Sequence, residues 1–98
     1  MTWDATLLVP NDNVATVLRP VAAGETVRVI TPAGMAEVVA LETIPLCHKI
    51  AFRSIEAGHN VLKYGGCIGA ARAPIQRGAW VHVHNVVSKR GQPRKPCP

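Results

Sequence analysis

The sequence of 98 residues predicts a small, mainly β domain, and three observations lead there. Short runs rich in Val, Ile and Leu recur along the chain, each bounded by Pro, Gly or Asn/Asp. A local pattern appears three times, as Val21-Ala-Ala-Gly24-Glu-Thr-Val27, Ile55-Glu-Ala-Gly58-His-Asn-Val61 and Ile75-Gln-Arg-Gly78-Ala-Trp-Val81. Each reads as an apolar anchor, a turn closed by a glycine able to take positive φ, and a strand that starts two residues later. Finally, 48% hydrophobic and 17% charged residues suit a folded chain rather than a disordered one.

Taken in order, strands are expected over residues 6–9, 26–30, 36–41, 49–52, 60–63 and 80–87. One short helix is expected between the first two. Asp12 or Asn13 would cap it, Val14, Val17 and Leu18 would line one face at helical spacing, and Pro20 would stop it. The spacing of the three corners, 34 and then 20 residues, excludes a solenoid of fixed period. From residue 88 the composition turns to Lys, Arg, Gly, Gln and Pro, which cannot offset the entropy of ordering by apolar burial. The chain therefore divides into a β domain over residues 1–87 and a basic, Pro-rich flexible tail over 88–98.

The formal net charge of +5 is concentrated in that tail, where Lys89, Arg90, Arg94 and Lys95 lie. Without them seven basic residues face six acidic ones, so the folded part is nearly neutral. No face combines bases with aromatics, and nucleic acid is not an expected partner. The tail is either solvated or docked on an acidic surface. Cys47, Cys67 and Cys97 form no C-x-x-C pair and read as reduced thiols. There is neither an export signal nor an apolar run of membrane-spanning length, so a cytoplasmic protein with no membrane partner is expected.

The segment Trp80-Val-His82-Val-His84-Asn85 is the most informative for chemistry. In a strand, His82 and His84 would project to one side, roughly 7 Å apart. They could share a metal, or one could bind metal while the other positions a substrate; packed or surface histidines are the structural alternative. His48 falls in phase with Ile50 and Phe52, which fits a buried histidine with a hydrogen-bond partner. Lys49 and Arg53 would then face water or an anion. Lys63, ahead of Tyr64-Gly65-Gly66, offers a charged donor beside backbone that a ligand can approach closely, or simply an ordinary turn. Asp4, Asp12, Glu25, Glu37, Glu42 and Glu56 show no pairing for two-carboxylate chemistry, and no phosphate-cradling glycine motif is present.

Read together, five segments resemble the SAF-type domain of altronate and galactarate dehydratases. In order they are Asp12-Asn13-Val14-Ala15, then His48 through Gly58 (HKIAFRSIEAG), Val61-Leu62-Lys63-Tyr64-Gly65, Ile68-Gly69, and Val81-His82-Val83-His84-Asn85. The resemblance spans about residues 6–87. In that family the domain is the N-terminal part of a long chain or a separate small subunit, as in sulfolactate sulfo-lyase. It implies a β-clip fold and the β-elimination of water, or of sulfite, from a sugar-acid-type 2-hydroxy-acid. It also implies a divalent metal, iron, manganese or magnesium, shared with a large catalytic subunit in a hetero-oligomer. Such chemistry needs a base for the proton next to the carboxylate and an acid for the departing group.

The residues matching the motifs then receive implied roles. His84 would act in metal binding or proton transfer, with His82 as a further metal ligand. Lys49 and Lys63 would hold the substrate carboxylate, His48 and Tyr64 would contact substrate, and Asn85 would orient a hydroxyl or the imidazole. One departure is Cys47, where the family usually has glycine, so the backbone entry there is expected to differ. Gly66-Cys67 falls at a variable place in the family. The alternative function is a carbohydrate or sugar-acid binding or assembly module without chemistry.

Overall fold

The fold is built from one corner used four times. In the computed structural model, which describes residues 3–88, Gly24, Gly58 and Gly78 take φ of 88°, 83° and 93°, as the recurrent pattern requires. A fourth corner of the same design runs from Ile44 to Ile50, with Cys47 at φ 69° in the glycine's place. Each turn closes with an N–H donated to the carbonyl three residues back, from Glu25 to Ala22, His48 to Pro45, His59 to Glu56 and Ala79 to Gln76, at 3.0–3.1 Å. Each then exchanges two backbone hydrogen bonds with one buried residue. Ala40, Val17, Ala71 and Ala51 receive the N–H of Gly24, Cys47, Gly58 and Gly78 respectively, and donate to the carbonyl of the next residue along. The anchors Val21 and Ile44 bridge each other, as do Ile55 and Ile75.

The corner at Cys47 therefore has the same backbone entry as the glycine corners, which corrects the expectation of a difference there. A non-glycine residue at positive φ carries strain of about 1–2 kcal/mol, partly offset because glycine has more freedom to lose on folding. Replacing Cys47 by glycine is expected to stabilise the domain by about 0.5–1 kcal/mol and raise its melting midpoint by roughly 2–8 °C. A midpoint that stays or falls in calorimetry would contradict the strain.

Among the described residues there are nine strands and no helix: β1 (Ala5–Thr6), β2 (Val14–Val17), β3 (Thr26–Thr31), β4 (Gly34–Val39), β5 (Lys49–Ala51), β6 (Asn60–Lys63), β7 (Gly66–Ala71), β8 (Trp80–Val81) and β9 (Val86–Ser88). The mainly β class holds. One sheet has the order β4-β3-β1-β2-β5-β8 and the other β6-β7-β9. The first covers a core that includes Ala15, Val17, Val27, Val29, Ile44 and Ile50; the second core gathers Val14, Ala51, Ile55, Val61, Ile75 and Val81.

The short helix expected after Asp12 is instead strand β2, which pairs with β1 and β5 on its two sides. Val14 enters one core while Ala15 and Val17 enter the other, so both faces of β2 are buried. A strand covered on both faces loses the polar–apolar alternation that marks a half-exposed one, and its apolar run mimics helical spacing. The run 80–87 also divides: β8 joins the first sheet, β9 the second, and residues 82–85 form a turn between them. Strand β7 was not expected, because Gly66-Cys67-Ile68-Gly69-Ala70-Ala71 is poor in β-branched residues. Its Gly69 is required by close approach: a Cβ there would lie 2.4 Å from the Val87 carbonyl oxygen.

Cys47 is an exposed free thiol. Cys67 lies half-buried in β7. Cys97 and the rest of the basic tail lie outside the described residues. Among the described residues no helix is long and apolar enough to cross a membrane.

Candidate functional site

Three adjacent strands bring the motif residues together. In β5, Lys49 pairs with Thr16 of β2 on one side and Val81 of β8 on the other, while Ile50 pairs with Trp80. The register places His48 and Lys49 next to the start of the His82–Asn85 turn. Thr16 lies beside them, a residue hidden from sequence reading because its segment resembled a helix.

The Lys63-Tyr64 turn arrives from the other sheet, and Asp12 and Asn13 hold it there. The β6–β7 hairpin turns through Tyr64 (φ 55°) and Gly65 (φ 77°), a conformation that costs tyrosine but not glycine. The Asp12 carboxylate is buried and compensates by accepting from the Tyr64 and Gly65 amides, each at 2.8 Å, and from Val9 N–H at 3.3 Å. Asn13 acts as an extra strand partner for β6: its Oδ1 accepts from Leu62 N–H (2.7 Å) and its Nδ2 donates to the Asn60 carbonyl (2.9 Å), beside a register shift between Val61 and Leu62. Together they place the Tyr64 hydroxyl 3.4 Å from Thr16 Oγ1. The Lys63 ammonium rests 4.7 Å from the centroid of the Tyr64 ring.

Four rings complete the cluster. Trp80 Nε1–H donates to His48 Nδ1 at 3.1 Å. His82 stacks on Trp80, with planes 8° apart and centroids 5.2 Å apart, and lies 4.6 Å from the His48 ring. His84 tilts against the same indole at 5.1 Å. Lys49 is half-buried, and its ammonium is held below the ordinary lysine value first by that burial and then by the charge of Lys63. His82 is likewise held below the usual imidazole range, by partial desolvation and then by His48, Lys49 and His84. Two adjoining groups result: Lys63, Tyr64 and Thr16 beside Lys49, and His48, His82 and His84 about Trp80, with charge coupling between Lys49 and His82 linking them.

Each residue singled out in the sequence now has a place. His48 is half-buried with a hydrogen-bond partner, as its phase with Ile50 suggested. His82 and His84 do not share a strand face; they sit in a turn and converge on Trp80 rather than alternating along β8. Asn85 builds that turn, accepting from His82 N–H (2.9 Å) and donating to the Trp80 carbonyl (2.8 Å). Both ends of its amide are therefore engaged by backbone. Arg53 donates to the carbonyls of Asp12 and Pro10 and so braces the Asp12 loop. Among the described residues no group of three or more His, Cys, Asp or Glu is placed to hold a metal ion.

Comparison with known proteins agrees with the motifs. The altronate/galactarate dehydratase SAF domain family matches residues 3–89. The chain is 43% identical over 49 residues to (2R)-sulfolactate sulfo-lyase subunit alpha of Chromohalobacter salexigens, a stretch covering 50% of this chain and 52% of that protein. It is 40% identical over 47 residues to the subunit of the same name from Paracoccus pantotrophus, covering 48% and 70%. Against altronate dehydratase of Escherichia coli (strain K12) it is 40% identical over 74 residues, covering 76% of this chain and 14% of that protein. The chain thus spans about half of the first relative and a small part of the dehydratase. With the motifs, the fold and the family match in agreement, the chain belongs to the altronate/galactarate dehydratase SAF domain family.

Proposed function

We propose that this chain is the small subunit of a lyase that eliminates water, or sulfite, from a sugar-acid-type 2-hydroxy-acid, and that it completes the active site of a separate, larger catalytic subunit. The observation that carries the reading is the placing of Lys49, Lys63 and Tyr64 beside Thr16 on paired strands, next to three imidazoles packed about Trp80. Two ammonium groups suit a carboxylate, and half-burial strengthens their hold on it. In the reaction the proton next to the carboxylate is removed, a carbon–carbon double bond forms, and either hydroxide takes a proton from a general acid and leaves as water or sulfite leaves with its electron pair. A neutral imidazole can take that proton, and His84 is given this role. His82, held below the usual range, stays neutral beside it. His48 and Tyr64 contact the substrate, and Asn85 acts by shaping the turn that carries both imidazoles.

A divalent metal (iron, manganese or magnesium) enters this reading only with ligands from the second chain, to which His82 would add an imidazole, while His84 keeps its basic nitrogen for the proton. No step is assigned to it here. The names of two relatives, each a subunit alpha, support a hetero-oligomer, which we place in the cytoplasm.

The experiment is reconstitution with the larger dehydratase- or sulfo-lyase-type chain of the same organism. The chain alone is expected to show no turnover of sugar acids or sulfolactate, with turnover appearing on mixing. Replacing His84 by alanine should lower turnover of the complex by at least about 10²-fold while the two chains still copurify. Full turnover by this chain alone would sink the small-subunit reading. Ligand binding without turnover in the assembled complex would instead favour the sugar-acid binding module.

A further inference from the structure

Trp80 sits at the centre of the ring cluster, and its hydrogen bond has a directional consequence. An indole N–H can donate but never accept. Its contact with His48 Nδ1 at 3.1 Å therefore makes that nitrogen the acceptor, and in the neutral ring the proton resides on Nε2. We propose that Trp80 is a positioning residue that fixes His48 as the Nε2–H tautomer, so that His48 offers the ligand a hydrogen-bond donor and leaves proton acceptance to the other imidazoles. The proposal rests on the reading that this cluster is the substrate site.

The indole is well placed to impose this. Its backbone is held on both sides, with Trp80 N–H donating to Glu42 Oε2 (3.0 Å) and its carbonyl accepting from Asn85 Nδ2 (2.8 Å). The ring packs against the first core and lies flat against His82, so turning it away from His48 would break both contacts. Among the described residues the His48 side chain makes no other hydrogen bond, which leaves Nε2–H available. A donor at this position fits an oxygen of the substrate, a hydroxyl or carboxylate.

The test is the protonation pattern of the His48 nitrogens, read by long-range proton–nitrogen NMR on the full, nitrogen-15-labelled chain at neutral pH. The wild-type chain is expected to show an unprotonated Nδ1 and a protonated Nε2 at His48. Trp80→Phe keeps an aromatic ring for stacking but removes the donor; its His48 nitrogens are expected to move toward a mixture of tautomers. Turnover of the reconstituted variant complex should fall about tenfold, the effect of one misdirected hydrogen bond. A protonated Nδ1 in the wild-type chain overturns the proposal whether or not the variant folds. A folded Trp80→Phe chain that retains the single tautomer, or turns over normally, overturns it as well. Since the wild-type spectrum needs neither substrate nor second chain, a fixed tautomer without turnover on mixing would count against the lyase reading and not against Trp80.

Discussion

Replacing Asp12 by alanine is expected to destabilise the domain by about 3 kcal/mol, a large part of the 5–15 kcal/mol that holds a typical domain together. The side chain is 1% exposed, and its carboxylate accepts from two consecutive amides of the β6–β7 turn. Each such charge-assisted bond contributes roughly 1.5–3 kcal/mol, but the turn is exposed and its freed amides would regain some hydration. The function should suffer beyond the stability. Tyr64 is held at positive φ by these two bonds, and without them the turn is free to relax, moving its hydroxyl from Thr16 and the Lys63 ammonium from the site. Asparagine is not a safe substitute. With its oxygen placed to receive Tyr64 and Val9, its amide nitrogen must face the Gly65 N–H, donor against donor, so a loss of roughly 2 kcal/mol is expected. Urea denaturation gives the stability, and hydrogen exchange at the Tyr64 and Gly65 amides locates it. A loss below about 1 kcal/mol in Asp12→Ala, the level of an ordinary surface contact, would show that the carboxylate does not hold the turn.

Asp12 also shows what the sequence could and could not reveal. Its position before an apolar stretch suits a helix cap, and local reasoning stops there. Its partners are 52 and 53 residues away. The glycine corners were legible because a positive φ is a local demand that only a few residue types meet cheaply. The fourth corner was not, since Cys47 carries the same conformation without the glycine that would signal it. The polar residues of the site were legible as motifs, yet their grouping was not. His82 and His84 looked like one strand face because the turn made by Asn85 depends on side-chain bonds to backbone, which no periodicity records. Thr16 lacks any motif of its own, and Trp80, though it stands in the Gly78 corner, carried no sign of its role; cross-strand register sets Thr16 against Lys49 and Trp80 against Ile50.

Lys49→Met is expected to separate stability from function. The charged form of Lys49 is disfavoured in the folded chain, mainly by burial and then by Lys63, so its pKa lies below the ordinary 10.5. The folded state therefore binds this proton less tightly than the unfolded one, and protonation opposes folding. The penalty is fully present below the folded pKa, shrinks as pH rises from there toward 10.5, and vanishes above it. Methionine removes the charge while keeping a similar shape, so the variant should be more stable than the parent at pH 7. The gain is only about 0.5 kcal/mol, because a half-exposed ammonium is well screened by solvent, and it should close as the pH approaches 10.5. A gain that is the same at pH 7 and pH 10.5 would assign it to packing instead of charge. For function the sign reverses: the lost ammonium should weaken capture of the carboxylate by roughly 10- to 100-fold, read as KM in the reconstituted complex. Adding Lys63→Met tests the order of causes. Burial outranks the neighbouring charge, so the pH-dependent part of the gain from Lys49→Met should shrink in that background without disappearing. Its complete disappearance would make Lys63, and not burial, the reason that Lys49 is poised to trade its water for an anion.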